Sequence, residues 1–224
     1  MAAKKRGMQK KRSAKSKQAA PKAAKTAKSA KTKPVAAKSG KAAKPAIAPS
    51  QFATVEGGPW GQCFLPRAAN EVRYWLAKSE PEVFSWDDLL AAPQQTTFWD
   101  GIRNFAARNF LRDAMRLGDR VFFYHSNGEP PAIVGICEVV REGYPDATTF
   151  DPKHYGYDEG STPDAPTWYM VDVRAVEPLA RPVTLPMIKS APALAQMALL
   201  RVGRLSLSPV TPAEWNAILA MSRA

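Results

Sequence analysis

Residues 74–81 read YWLAKSEP. The run Tyr74–Ala77 is apolar enough for a core strand, yet it ends on a cation, a hydroxyl and a carboxylate, Lys78, Ser79 and Glu80, closed by Pro81. Two readings are open: a plain turn, or the rim and floor of a small polar pocket at a strand end. Upstream, Val72, Tyr74 and Leu76 alternate with Arg73, Trp75 and Ala77, the period-two pattern of a half-buried strand. Downstream, Ser85 with Asp88 forms a capping-box signal for a short helix that ends before Pro93.

The rest of the body alternates helix and strand signals without a regular βαβ rhythm. NFAARNFLRDAMRLGD, from Asn104, carries Phe110, Leu111, Ala114 and Leu117 at helical spacing, with Gly118 as a stop and Arg108, Arg112 and Arg116 on another face. RVFFYH (120–125), AIVGICEVV (132–140) and TWYMVDVRAVEPL (167–179) predict strands. Short helices are expected near Pro186–Ser190 and Pro192–Leu200, and Thr211, Pro212 and Glu214 mark a strong helix start. The expected fold class is α+β, a curved, mostly antiparallel sheet or small β-barrel with peripheral helices.

Charge divides the chain. Residues 1–50 hold fourteen Lys, two Arg and no acid, which leaves sixteen basic residues against all 20 acidic ones in 51–224. The segment KSAKTKPVAAKSGKAAKPA (28–46) has too little apolar surface to offset the entropy of ordering, so residues 1–50 are expected to be a disordered basic arm. Cations along it, among them Lys4, Lys5, Arg6, Lys10, Lys11, Arg12, Lys22, Lys25, Lys28, Lys31, Lys33, Lys38, Lys41 and Lys44, suit sequence-independent phosphate contacts. An import signal in KKRGMQKKR (4–12) and an inert tail are the alternatives. Residues 51–70 read as a linker packing loosely through Phe52, Trp60 and Phe64, and residues 71–223 as the folded domain. No membrane span and no apolar signal-peptide core is expected. Cys63, Cys137, His125 and His154 have no metal-ligand spacing, so neither a disulfide framework, a metal nor a cofactor is expected.

Four segments set polar or aromatic groups beside predicted core: WLAKSEP, FWDGIRN (98–104), FFYHSNG (122–128) and VGRLSLSPV (202–210). Each has a bland reading. Trp99 suits core, Arg103 suits an ion pair with Asp100 or Glu80, and His125 suits a structural hydrogen bond at a strand end. If the segments converge, Trp75 and Trp99 offer stacking faces, and Ser79, Glu80, Asn104, Ser126 and Ser206 offer directional donors and acceptors. Flat faces with edge-reading polar groups are what a nucleobase out of its stack requires.

Together, YWLAKSEPEVFSWDDL, WDGIRNFAARNFLRDAMRLGDRVFFYHSNGEPPAIVGICEVVREGYPDATTFDP and RLSLSPVTPAEWNAIL resemble an EVE domain, the PUA-like domain of the thymocyte nuclear protein family, from about Arg73 to Met221. The resemblance implies a PUA-like fold related to YTH-type readers. It also implies binding of nucleic acid with modified bases such as methylated or hydroxymethylated cytosine. The family's pocket motifs fall on Lys78-Ser79-Glu80-Pro81, on Trp99-Asp100-Gly101 with Arg103-Asn104, on Tyr124-His125-Ser126, and on Arg204-Leu205-Ser206. One departure is Leu207-Ser208, where the family often has Val-Gln.

The expected function is a non-enzymatic reader of modified bases in DNA or RNA, acting as a monomer, with the arm adding non-specific affinity. It would be nuclear in a eukaryote and cytoplasmic or nucleoid-bound in a bacterium. The alternatives are an enzyme acting on nucleic acid through Asp100, His125 and Ser126, and a chromatin-type protein acting through its arm. The sequence has no metal cluster, phosphate loop or nucleophile elbow to favour the enzyme. Deleting residues 1–50 is expected to weaken binding to all nucleic acids. It should also flatten the salt dependence, by about 0.9 in slope for each duplex phosphate that the arm neutralises. Preference for a modified base should survive the deletion; a titration against salt with and without the arm checks both.

Overall fold

The computed structural model describes residues 60–224. The predicted arm, 1–50, and residues 51–59 of the predicted linker, Phe52 among them, lie outside the described residues. Within the described part of that linker, Trp60 to Phe64 pack on the domain, while Leu65, Pro66 and Ala68 to Asn70 are exposed. A 3-10 turn spans Gly61–Phe64, Trp60 meets the Phe110 ring edge-on at 5.8 Å, and Phe64 stacks on the same ring at 5.7 Å.

Six strands form one open sheet: β1 (Tyr74–Ser79), β2 (Thr96–Trp99), β3 (Arg120–His125), β4 (Ala132–Pro145), β5 (Tyr169–Thr184) and β6 (Leu207–Val210). Their order is β2-β5-β4-β3-β1-β6. All neighbours are antiparallel except β1 and β3, which run parallel with Ser79 opposite His125. The curved-sheet form of the expectation is therefore the one adopted, and β2 and β6 are its edges. Curvature comes from the long pair β4–β5, whose register slips at four places; each slip bends and twists the strands. As a result Trp99, on edge strand β2, touches Phe123 of β3 across the curl (5.4 Å, interplanar 88°), although two strands separate them in the sheet.

Strand alternation sorts side chains into two cores. Trp75 and Ala77 of β1 and Val121 and Phe123 of β3 face the inside of the curl. There they meet helices α1 (Trp86–Ala91) and α2 (Phe105–Asn109) through Trp86, Leu89 and Ala107. Leu76, Phe122 and Tyr124 face the other side, under α3 (Leu185–Ser190), α4 (Ala198–Arg201) and α5 (Pro212–Arg223). Of the half-buried strand expected at 72–77, Trp75, Leu76 and Ala77 are buried on both faces, because β1 lies between β3 and β6 with a layer on each side; Val72 precedes the strand and is exposed. Both predicted capping boxes form, Ser85 with Asp88 and Thr211 with Glu214. The helix predicted to run to Leu117 is shorter: α2 passes into a π-helical turn, Phe110–Ala114, and Met115 is extended. Gly118, at φ +83°, serves instead in the turn before β3, where its N–H donates to the Val139 carbonyl (3.0 Å).

That turn delivers Asp119, whose carboxylate is completely buried. It accepts from both Arg67 nitrogens (2.5 and 2.8 Å), the Arg73 N–H (3.0 Å), the Arg116 N–H (3.1 Å) and the Trp75 indole N–H (2.8 Å). A buried charge is tolerated when it is paired and its lone pairs are filled. Asp119→Ala would strand the Arg67 guanidinium and the Trp75 N–H, and is expected to cost about 3–5 kcal/mol. Asp119→Asn, which keeps acceptor geometry on one side only, should cost less. Urea titrations of the three proteins check the order.

Candidate functional site

The parallel pairing of β1 with β3 brings two polar strand ends together. Ser79 stands opposite His125. Ser126 donates to the Ser79 carbonyl through both its N–H (2.8 Å) and its hydroxyl (3.2 Å). The Ser79 hydroxyl donates to the Phe84 carbonyl (2.5 Å), while the Glu80 carbonyl accepts from the N–H groups of Val83 and Phe84, both at 2.9 Å. Ser79-Glu80-Pro81 therefore opens a hydrogen-bonded turn that is, at the same time, one wall of a polar strand end. Ser85 then starts α1, and the Trp86 N–H donates to His125 Nε2 (3.1 Å).

With Nε2 accepting, His125 is a neutral imidazole carrying its proton on Nδ1. Burial holds its pKa below the usual histidine value, with Asp87 opposing weakly. Its ring stands edge-on to Phe123 at 5.5 Å. Phe84, Trp86 and Trp99 complete the group around Phe123, at 6.3, 5.5 and 5.4 Å. The Trp86 ring is seated deeply because position 135 is glycine: a Cβ there would lie 2.5 Å from the indole.

Several predicted site residues belong elsewhere. Trp75 is fully buried, wedged on Phe110 and bonded to Asp119, so it has no face to offer a base. Trp99 is only 8% exposed and edge-on to Phe123, a core ring that supports the site rather than an open platform. Tyr124 is buried in the second core, on the opposite side of the sheet from His125. Lys78 also alternates to that side. Its Nζ donates to the Gly203 carbonyl (2.9 Å) and its N–H to the Ser206 carbonyl (2.8 Å), clamping the 203–206 segment onto β1; burial lowers its pKa. Arg204 and Glu80 are exposed, and Pro81 and Ser206 are half-buried. Ser208 is buried, and its Oγ has no hydrogen-bond partner among the described residues. It sits opposite Leu76 on β1, on the sheet face away from His125, whereas Leu207, opposite Ala77, lies in the core that holds Phe123.

A second group follows β2. Gly101, at φ +71°, turns the chain after Asp100. Asn104 caps α2, its Oδ1 accepting from the N–H groups of Ala106 (2.9 Å) and Ala107 (3.2 Å). Arg103 pairs with neither Asp100 nor Glu80. Its guanidinium binds the fully buried Asp146 (3.0 Å) and the Gly156 carbonyl (2.7 Å), and lies 5.5 Å from the Trp168 ring centre. Burial, and then the Asp146 charge, push the Asp100 carboxyl up. Gly101, Arg103, Tyr155, Gly156, Tyr157 and Asp158 line a cleft of about 290 Å³. The sequence reading missed Asp146, Tyr155, Gly156, Asp158 and Trp168; the one available signal was the density of aromatics in HYGYDEG (154–160). Trp99 links the two groups, its ring on Phe123 and its backbone leading into Asp100.

A larger cavity, about 580 Å³, opens at the other end of β1 among Trp60, Arg73, Tyr74, Pro209 and Thr211. Its charged and capping groups are engaged: Arg73 with Glu71 and the Cys63 and Leu65 carbonyls, Thr211 and Glu214 with each other's backbone. Among the described residues no cluster of His, Cys, Asp and Glu has metal-binding geometry, and no helix is long and apolar enough to cross a membrane.

Known proteins share this fold. The EVE domain family model matches residues 73–221. Thymocyte nuclear protein 1 of Gallus gallus is 46% identical over 165 residues, covering 66% of this chain and 68% of that one. The Homo sapiens protein of the same name is 44% identical over 165 residues, covering 66% and 73%. Among solved structures, human THYN1 protein in complex with 5-methylcytosine containing DNA aligns with a TM-score of 0.65 at 43% identity, covering 68% of this chain and 98% of that one. A Pseudomonas putida protein aligns with a TM-score of 0.63 at 43% identity, covering 66% and 99%. The chain belongs to the EVE domain family.

Proposed function

We propose that the folded domain binds DNA through a modified base, 5-methylcytosine first among the candidates, and that it does so without chemical turnover. The observation that carries the reading is the junction of β1 and β3. Ser79, His125 and Ser126 interlock there beside an aromatic group, in a chain 43% identical to a protein solved with 5-methylcytosine containing DNA. A base entering beside this junction would meet the His125 Nδ1–H, the Ser126 hydroxyl and the exposed Glu80 carboxylate as edge-reading groups. The Phe123-centred rings give the wall its stiffness. The basic arm adds affinity for phosphate irrespective of sequence, and in a eukaryotic cell the protein would work in the nucleus.

Hydrogen bonding argues for a reader over a catalyst. A general base needs a free lone pair within reach of the substrate, and the His125 Nε2 lone pair is taken by the Trp86 N–H. A nucleophilic hydroxyl needs an adjacent base, and the Ser79 hydroxyl donates to a backbone carbonyl instead.

His125→Phe keeps a ring on Phe123 but removes both the Nδ1–H and the Nε2 acceptor of the Trp86 N–H, and Glu80→Ala removes an exposed carboxylate. Each is expected to reduce the preference for methylated over unmethylated DNA, by about 0.5–1.5 kcal/mol for a neutral hydrogen bond and more where a charge accepts it. Lys189→Ala, on α3 across the sheet, should leave the preference unchanged. Competition binding at moderate salt measures the ratio; folded variants that discriminate like the parent would move the recognition surface elsewhere. Mass spectrometry of the oligonucleotide after long incubation, with and without divalent metal, should find it intact, and any product would transfer the protein to the enzyme class.

A further inference from the structure

Beside the cleft, two aromatic side chains project into solvent from backbone that is tied down. Tyr155 is 83% exposed. Its neighbours are fixed on both sides: the His154 N–H donates to the Asp151 carbonyl (2.9 Å) and the Tyr157 N–H to the His154 carbonyl (3.0 Å). The Gly156 N–H donates to His154 Nδ1 (3.1 Å), and the Gly156 carbonyl accepts from Arg103 (2.7 Å). The Tyr155 hydroxyl reaches over Gly101, where even a Cβ would stand 3.4 Å from it. Phe105, the first residue of α2, is 60% exposed, with its ring stacked on buried Trp168 at 5.1 Å. Arg103 joins the two presentations, since it holds the Gly156 carbonyl and lies against Trp168.

Exposed rings carried on backbone that is already ordered can bind a partner at little further entropic cost. The partner's chemistry follows from the charges. The cleft is not a phosphate site: the Arg103 charge is committed to Asp146, and the Asp158 carboxylate on the wall accepts from the Trp168 indole N–H (2.5 Å) and the Gly160 N–H (2.9 Å). Outside it, Arg108 stands 4.9 Å from the Phe105 ring centre. It binds only the Thr167 carbonyl and Asn109 Oδ1, with no carboxylate partner among the described residues. Exposed planar faces beside the cleft, with the Arg108 guanidinium over the Phe105 ring, fit unpaired nucleobases whose phosphates run past Arg108.

We infer that Phe105 and Tyr155 form a stacking platform for the nucleobases that flank the read base, holding the strand open while that base is out of its stack. The inference rests on the reader function proposed above, but uses residues that do not touch the β1–β3 junction. Stacking is tolerant of base identity, so the platform sets affinity and strand opening rather than the choice of modification.

The test uses the full chain and a duplex with one 5-methylcytosine, at salt high enough to suppress the arm. The variants are Phe105→Ala, Phe105→Leu, Tyr155→Ala and, as control, Leu117→Ala in the exposed turn before β3. Phe105→Leu keeps Trp168 covered while removing the π face, which separates the stacking effect from the packing effect. The three platform variants should weaken binding by roughly 5- to 150-fold each. They should do so equally for methylated and unmethylated duplexes, with melting transitions like the parent's, and Leu117→Ala should bind as the parent does. A 2-aminopurine beside the methylcytosine should change its emission on binding the parent and far less with the platform variants. If the parent prefers methylated DNA and the platform variants bind and perturb 2-aminopurine as it does, the platform is overturned while the reader stands. If the parent shows no methyl preference yet the variants lose affinity, the platform is supported and the reader reading fails. A parent that binds neither duplex overturns both.

Discussion

The buried carboxylate of Asp119 is the constraint on which the rest of the structure depends. It stands just before β3, accepts the backbone N–H that opens β1 and the indole N–H of Trp75, and is neutralised by Arg67 from the segment preceding β1. Parallel strands cannot be joined by a tight turn, so their relative placement must come from contacts other than a hairpin. Asp119 supplies one at the start of the pair. From that fixed start, six residues of uninterrupted register carry the alignment to Ser79 and His125 at the far end. A charge at one end of the sheet thus determines which polar side chains meet at the other.

The second organising element is Phe123. Its ring receives Phe84 and Trp86 from the stretch that opens α1, Trp99 from β2 and His125 from its own strand. Edge-to-face contacts are directional as well as apolar, so they fix ring orientations that burial alone would leave free. Because Trp99 arrives only through the bending of β4 and β5, the curvature of the sheet and the shape of the candidate site are one property.

Much of this is legible in the sequence, for identifiable reasons. Helix starts with reciprocal side-chain and backbone bonds, at Ser85 and Thr211, depend on residues three apart and can be read directly. RVFFYH coincides with β3 because its run is short and bounded by turn residues. What fails depends on tertiary context. Alternation around Tyr74 suggests one solvent-facing side, but a strand between two neighbours and two layers has none. Trp75, Trp99 and Tyr124 have the chemistry of stacking residues, yet strand parity sends each into a core. Arg103 stands out as a candidate, but its partner Asp146 lies 43 positions away. The short edge strands β2 and β6, of four residues each, carry too little pattern to be seen.

The contact between Trp86 and Gly135 has a consequence for how such a chain can vary. The indole occupies the volume that a Cβ at position 135 would need, and the overlap would be with rigid ring atoms rather than with a flexible tip. Enlarging position 135 therefore requires a smaller side chain at 86 in the same step, and shrinking position 86 alone would leave a void against β4 that glycine cannot fill. The two sites are free to drift only as a couple. Helix α1 would move with them, because the backbone of residue 86 is the donor that holds the His125 imidazole.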